Sequence, residues 1–419
     1  MEGQCPVAID GAGSDIHGEA TRIRAQGPVA RITLPGGLPA WSITGYEAAR
    51  QALADPRLSK DARRHWTAYA AGEIGPDFPL IHWARMENLT TADGDDHARQ
   101  RRLIASAFGP RRVAVMRAHV TRIVDELLDR LAAHDDGTVV DLKDDFARPL
   151  AAEVIGDLIG VPPSERVTIL RGSYDATPPG TPEEANALFT AIRGAVQNLI
   201  EAKRRRPADD LTSDLLAARA EDGARLSEAE LASTVLLLLN TGTEPVMNLI
   251  TNAVCALLRH PDQLDLVRGG HASWSAVVEE TLRSEAPVAH LPFRFPVEHV
   301  AVADVTIPRG EPVLVHFAAA GRDPAVHPDP ARFDLDRQDQ RHLSFGHGAH
   351  RCVGSALALL EAEIALDALF RRFPRLKLAV PPEQVAPQGG FIMNGRRALP
   401  VRLSPAPVAR PRQRAEASR

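Results

Sequence analysis

Towards its C-terminal end the chain reads HLSFGHGAHRCVGSALALLEAEIALDALFRRFP, and the chemistry of that stretch centres on Cys352. Gly346, Gly348 and Gly354 surround the cysteine, and an apolar-periodic helix begins directly after it. Glycine lets a backbone turn tightly and approach a bound group closely. The first amides of a helix carry partial positive charge, so those from Val353 onward should point at the sulfur and favour thiolate over thiol. The loop reads as a seat for an anionic sulfur.

Three arrangements suit such a sulfur. It can be a buried cysteine at a helix start, a common fate for that residue. It can join His342, His347 and His350 around zinc, although a structural zinc site asks for paired ligands at hairpin-like spacing and leaves the glycines without a role. It can also be the single axial thiolate of a haem iron, where sulfur pushes electron density towards oxygen.

A second stretch, LLLLNTGTEPVMNLI from Leu236, sets a polar turn inside an apolar helix: Thr241, Gly242, Thr243, Glu244 and Pro245. An interior proline removes a hydrogen bond and costs ~3 kcal/mol or more. The carbonyl of Thr241 then lacks its donor, which predicts a kink or widening at this turn. Thr241 and Thr243 either satisfy that backbone or present hydroxyls for proton transfer. Glu244 can relay through water, and Asn248 lies one turn further on.

Two shorter patterns add charge. In DGDDHARQRRLIASAFGPRR, His97 and Arg101 are spaced i,i+4 and share one helix face, which suits the clasping of an anionic group. EETLR spaces Glu280 and Arg283 at i,i+3, where opposite charges meet.

The elements that must hold these residues are mainly helical. The chain has 419 residues, 44% apolar and 25% charged, enough for a large core. A net charge of -5 argues against a nucleic-acid partner. Cys5, Cys255 and Cys352 are too few and too scattered for a disulfide framework, which points to a reducing, cytoplasmic setting. The acidic N-terminus MEGQCPVAIDGAGSDI lacks the apolar run of a signal peptide, and no stretch predicts a membrane helix.

Helical periodicity dominates from Thr44 to Leu282. Thr44 is the expected N-cap of TGYEAARQALAD. Val115, Val120, Ile123, Leu127, Leu128 and Leu131 are expected on one face. Ser227 and Glu230 form a capping box that opens one long helix running to His260. Strand character is expected mainly after Ala286, with PRGE as the turn of a hairpin, and again in LKLAV and ALPVRL. The fold class is mainly α with a small β-rich part. The organisation expected is an N-terminal extension over 1–26, a single domain over 27–404, and a disordered tail over 405–419.

With these pieces in order, the cysteine segment resembles the haem-binding signature of the cytochrome P450 family, through Phe345, Gly346, Gly348, His350, Cys352 and Gly354. EETLR and DPARF resemble the family's Glu-Arg-Arg motifs, which implies a structural cluster of Glu280, Arg283 and Arg332. The resemblance covers nearly the whole chain. It implies a soluble, bacterial-type monooxygenase that holds haem b (iron protoporphyrin IX) through Cys352. His97, Arg101, Arg294 of PFRF and His350 would then hold the haem propionates, since buried carboxylates need cationic donors.

TGTEP aligns with the family's distal oxygen motif. Pro245 stands where threonine is usual, Gly242 would leave room for oxygen, and Glu244 fills the acid position. The pocket implied runs along Arg63–Leu89, Ser173–Leu188, the central helix, Val288–Leu291 and Phe391–Met393. Leu237, Thr241, Val288, Leu291, Phe391 and Ile392 give an apolar wall, with Asn240, His290 and Asn394 as polar contacts. Arg99, Arg102, Arg111, Arg112 and Arg351 form a basic proximal face for an acidic ferredoxin served by its reductase. The implied activity is oxidation of a small, partly apolar molecule by O2 in specialised metabolism. Radical coupling, cyclisation or peroxide-driven oxidation is the alternative that Pro245 suggests, and a non-catalytic haem sensor is the alternative of another class.

Overall fold

The computed structural model describes residues 5–169, 182–218 and 223–404. The first part of the Ser173–Leu188 pocket segment and the tail 405–419 lie outside the described residues.

Amphipathic helices build the larger core. Helix Pro110–Ala132 buries Val120, Ile123, Leu127, Leu128 and Leu131, and also Met116 and Val124. Val115, expected on that face, is exposed, because Met116 rather than Val115 continues the 3.6-residue spacing. This helix packs on Arg148–Ile159 and on Ser355–Arg372. Helices Glu244–Arg259 and Trp274–Ser284 close the bundle. Helix Glu228–Thr241 starts at the predicted capping box: the Glu230 amide donates to Ser227 Oγ at 3.2 Å, and the Ser227 amide donates to Glu230 at 2.8 Å.

The predicted long helix is two helices, Glu228–Thr241 and Glu244–Arg259, separated at Gly242–Thr243. The break precedes the proline. Pro245 sits in the first turn of the downstream helix, where its missing N–H is one that no helix satisfies internally, so the interior-proline cost does not apply.

A six-stranded sheet lies beside the bundle, in the order β1-β2-β3-β9-β6-β4. Its strands are β1 (Val7–Ala8), β2 (Val29–Thr33), β3 (Pro39–Ile43), β4 (Leu58–Ser59), β6 (His290–Pro296) and β9 (Val313–His316). Strands β10 (Lys377–Leu378), β11 (Pro400–Arg402) and β5 (Val139–Asp141) form a second sheet, and β7 (Val300–Val302) with β8 (Val305–Ile307) a third.

Four expectations change here. Four strands precede residue 60, so strand structure is not confined to the second half. The turn of the β7–β8 hairpin is Ala303–Asp304, with Ala303 at φ 50°, whereas PRGE carries the chain on to β9, which pairs with β3 and β6. Thr44 does not cap its helix: Gly45 occupies the N-cap, and Asp323 accepts from the Tyr46 amide at 2.8 Å. Residues 5–26, expected as an extension, pair with β2 through β1 and pack helix Ile16–Arg24 on the short helix Phe317–Gly321. Among the described residues no helix is long and apolar enough to cross a membrane.

Candidate active site

Helix Trp274–Ser284, whose Leu282 carbonyl accepts from Ser344 Oγ at the start of the cysteine loop, carries a buried ion pair. Arg283 is fully buried and donates to both carboxylate oxygens of Glu280 at 2.7 Å. Its remaining N–H groups reach the carbonyls of Gly321, Pro330 and Arg332 at 2.8–3.0 Å. The third member of the cluster is Arg337, with Nε 3.4 Å from Glu280 Oε1 and its side chain buried. Arg332, expected in that role, supplies only its carbonyl and turns its side chain to solvent near Asp334. The motif spacing alone did not say which arginine of the Pro- and Asp-rich coil turns inward.

The loop itself turns on Gly346 and Gly348, at φ 71° and 72°. A Cβ on Gly348 would also lie 2.7 Å from the carbonyl of Leu53, so that position requires glycine twice over. Gly354 has φ -89° and no tight neighbour. The Cys352 amide donates to the Phe345 carbonyl at 2.8 Å, which curls the chain around the sulfur.

Cys352 is accessible, yet enough protein surrounds it for burial to push its thiol up. The Gly354 and Ser355 amides and the Arg101 and Arg351 charges work the other way without prevailing. The predicted thiolate therefore needs a further positive partner, which a coordinated metal supplies. The zinc arrangement does not form. His342 Nε2 lies 2.9 Å from Glu279 Oε2, and His350 Nε2 lies 3.8 Å from Asp93 Oδ1. No group of three His, Cys, Asp or Glu side chains converges among the described residues.

Above the loop, four predicted cations gather. Helix Gly94–Ala107 carries His97 and Arg101. The His97 ring stacks at 4.1 Å from that of His350. His97 is buried with Nε2 unpartnered. Arg294, on β6, is 3% exposed; Nη1 donates to the Leu58 carbonyl at 3.0 Å, while Nε and Nη2 have no partner. Burial brings its pKa down to about 10. Burial likewise lowers His350 to about 4, against the pull of Asp93. Asp93 holds its charge to about 2 despite burial, through the neighbouring His350 ring and a hydrogen bond from Ser59 Oγ. Buried N–H donors left open beside clustered positive charge call for an anion.

The helix break carries a second set of accessible side chains. Asn240 and Thr241 are exposed and Leu237, Glu244 and Pro245 half-buried, whereas the helix from Val246 to Leu257 is buried. Those positions recur at helical spacing and make one accessible stripe on a core helix. Thr241 Oγ1 donates to the Leu237 carbonyl at 2.8 Å, and buried Thr243 to that of Leu239 at 3.3 Å. Gly242 does not open space for a small guest. A Cβ there would meet Ile155 Cδ1 at 2.6 Å, so glycine is required by helix packing. Glu244 accepts from Gln388 Nε2 at 2.6 Å, and Lys143 Nζ donates to Gln388 Oε1 at 3.3 Å.

Val288, Leu291 and Ile392 are half-buried and join this stripe as candidate walls, whereas Phe391 is 5% exposed. His290 is fully buried, its ring 3.7 Å from that of His316, so it stands behind the wall rather than in it. Asn394 is also withdrawn, its Nδ2 3.4 Å from Glu285 Oε2. In the aromatic segment, Trp66 packs against Tyr69, Phe293 and Phe295 at 5.4–5.8 Å and forms core.

A cytochrome P450 family profile matches residues 274–398, the span from the Glu280 helix through the cysteine loop. Over 95% of its length the chain is 46% identical to 2-hydroxy-5-methyl-1-naphthoate 7-hydroxylase of Streptomyces carzinostaticus, covering 98% of that protein. The chain belongs to the cytochrome P450 family. Among solved structures, the P450 CYP154A1 of Streptomyces coelicolor A3(2) superposes with a TM-score of 0.86 at 44% identity, covering 95% of this chain and all of that one. CxnD, a P450 for C–S bond formation in chuangxinmycin biosynthesis, gives 0.84 at 34% identity over 97% of this chain and all of its own.

As a P450, the protein is a haem-thiolate oxidoreductase that uses O2 to oxidise a small molecule in specialised metabolism. The residues present fit a haem. Open nitrogens on His97 and Arg294 suit its carboxylates, and the accessible Cys352 sulfur suits its iron.

Proposed function

We propose that Cys352 is the axial ligand of haem b, and that His97, Arg101, Arg294 and His350 hold its two carboxylates. The observation that carries this reading is the pair of unpartnered nitrogens on buried Arg294, beside the open Nε2 of His97. Bound haem supplies the activation of O2. The protein's part is to keep the sulfur anionic, neutralise the carboxylates and manage protons above. Phe345, Gly346 and Gly354 shape the cradle. Glu280, Arg283 and Arg337 keep it rigid.

Thr241 has the one threonine hydroxyl on the accessible stripe, and a 2.8 Å bond to the Leu237 carbonyl holds it there. It is the candidate proton donor in place of the residue that Pro245 replaces. Gln388 and Lys143 hold Glu244 ready to resupply it from the other side of the break. Leu237, Asn240, Thr241, Val288, Leu291 and Ile392 line the pocket, a mostly apolar wall with one amide and one hydroxyl. That lining suits a flat, apolar substrate with few polar groups, hydroxylated as the naphthoate relative's name says of its own.

Electrons would come from a separate ferredoxin and its reductase in the cytoplasm. Arg102, Arg111 and Arg351 are exposed and suit an acidic partner. Arg99 and Arg112 serve less well, since Glu230 engages the first and Asp214 and Asp209 the second. Coupling chemistry is a second reading, favoured by Pro245 and by the C–S bond formation named for CxnD.

The test uses purified protein loaded with haem. A thiolate-type carbon-monoxide spectrum is expected, lost in Cys352→Ser. With a hydroxyaromatic substrate and a ferredoxin system, a product heavier by one oxygen supports hydroxylation, and a product lacking two hydrogens supports coupling. Pro245→Thr should lower the share of electrons lost as peroxide. An unchanged share would remove this turn from proton delivery.

A further inference from the structure

Lys60 directly follows β4 and is 7% exposed. No sequence pattern singles it out. Among the described residues its ammonium makes no ion pair or hydrogen bond, whereas its backbone N–H donates to Asp93 Oδ2 at 3.1 Å. A cation on so enclosed a side chain, with no protein partner, is costly to keep.

The charges around it do not balance. The nearest opposite charge is Asp93, and that carboxylate already accepts from Ser59 Oγ and the Lys60 backbone and faces His350. Asp55, which also acts on Arg294, is occupied by Arg57 at 2.7 and 3.0 Å. Lys60 and Arg294 repel one another at this spot, and burial with that repulsion brings the Lys60 amine down to about 7. His97, with its open Nε2, and His350 complete the group. One carboxylate thus stands among the lasting cation of Arg294, the amine of Lys60 and two imidazoles. An additional dianion would settle the account.

We propose that Lys60 is a further anion-holding residue of this site, its ammonium donating to a carboxylate of the bound haem beside Arg294. This rests on the haem reading given above. Lys60 is a positioning residue: it fixes the edge of the group and makes no contact with substrate. Its role is electrostatic, so its removal has opposite effects on the empty and the loaded protein. Without haem, replacing a partnerless buried amine by an apolar side chain of similar length relieves a penalty. With haem, the same change deletes a charge-assisted bond.

The experiment compares wild type, Lys60→Met, Lys60→Gln and Lys60→Arg. Haem release to excess apomyoglobin is followed by absorbance, the ferric/ferrous midpoint by redox titration, and unfolding of the haem-free protein by urea. Lys60→Met and Lys60→Gln should release haem roughly ten- to a hundredfold faster, the loss expected for one hydrogen bond to a charged group. Their midpoints should move to more negative potential, because a lost cation favours the ferric state. Lys60→Met should leave the haem-free protein at least as stable as wild type, and Lys60→Arg should restore slow release.

Wild-type release rates and potentials in both Lys60→Met and Lys60→Gln would overturn the inference. So would a haem-free Lys60→Met that is destabilised in proportion to its haem loss, the mark of a packing role. If the wild type takes up haem with a thiolate-type spectrum, these failures touch Lys60 alone. If it takes up no haem, the reading of the whole site falls, and this inference with it.

Discussion

Arg283 and Glu280 meet through two parallel 2.7 Å hydrogen bonds with neither side chain exposed. The pair is tied to Gly321 on one side and the coil Asp329–Arg337 on the other. Its geometry is planar and two-pronged, which lysine cannot imitate. Arg283→Lys should therefore cost about 3–5 kcal/mol, as expected when a buried charge loses its partner. Loss of haem content and a lowered urea midpoint check this. Arg337→Ala should fall between that value and wild type, while Arg332→Ala should change stability by about 0.5 kcal/mol or less.

Gly242 faces Ile155 across a gap that admits no methyl group. Gly242→Ala should destabilise by about 1–3 kcal/mol through overpacking. Adding Ile155→Val should recover part of that loss by removing Cδ1, while the close Leu238 carbonyl at 2.7 Å remains. A double-mutant cycle by thermal unfolding reads the coupling directly.

Glu361 lies on the helix after Cys352, 2% exposed, with Oε1 unpartnered. Burial raises its pKa to about 8. In the unfolded chain a glutamate releases its proton near about 4.3. The folded form then keeps a proton that the unfolded form has lost, so the stability contribution is complete in acid and falls as pH rises towards about 8. Glu361→Gln should match wild type at about pH 5 and exceed it by a few kcal/mol at about pH 8. Equal urea midpoints at both pH values would show that the carboxyl does not titrate as described.

His290 behaves in the opposite sense. Burial lowers it to about 3, and neither ring nitrogen has a hydrogen-bond partner, although Nε2 lies 3.8 Å from Glu19 Oε1. His316, stacked on it, is also held well below the usual imidazole range by burial and by His290. Unfolded imidazoles take up protons near about 6.5. The folded ring refuses that proton, so its contribution is present above that value and is lost as pH falls towards about 3. His290→Phe should keep more of its neutral-pH thermal midpoint at about pH 5 than wild type does.

Much of this site is readable in the sequence because its chemistry is local. Phe345, Gly346, Gly348 and Cys352 lie within a few residues of one another, and His97 with Arg101 needs only one helix face. The capping box at Ser227 is equally local. What escapes the sequence depends on partners distant along the chain. Arg337 and not Arg332 reaches Glu280 because of how an irregular coil folds back. His290 lies behind the pocket wall because β6 pairs with β9 and sets His316 against it. Lys60 has no motif at all, and its meaning comes from Asp93 and Arg294, contributed by separate elements. The early strands were missed because β2 and β3 alternate only weakly, although Pro-Gly-Gly between them is a turn signal.

The interruption at Gly242–Thr243 has one more consequence. It divides the central span into two hydrogen-bonded ladders, each able to tilt without straining the other. The downstream ladder is sunk in the bundle from Val246 to Leu257, while the upstream one leaves Leu236, Leu237, Asn240 and Thr241 accessible. A hinge there lets a bulky guest displace the looser arm and leave the firm one at rest. Amide protection should accordingly change on guest binding N-terminal to Gly242 and stay constant beyond Val246.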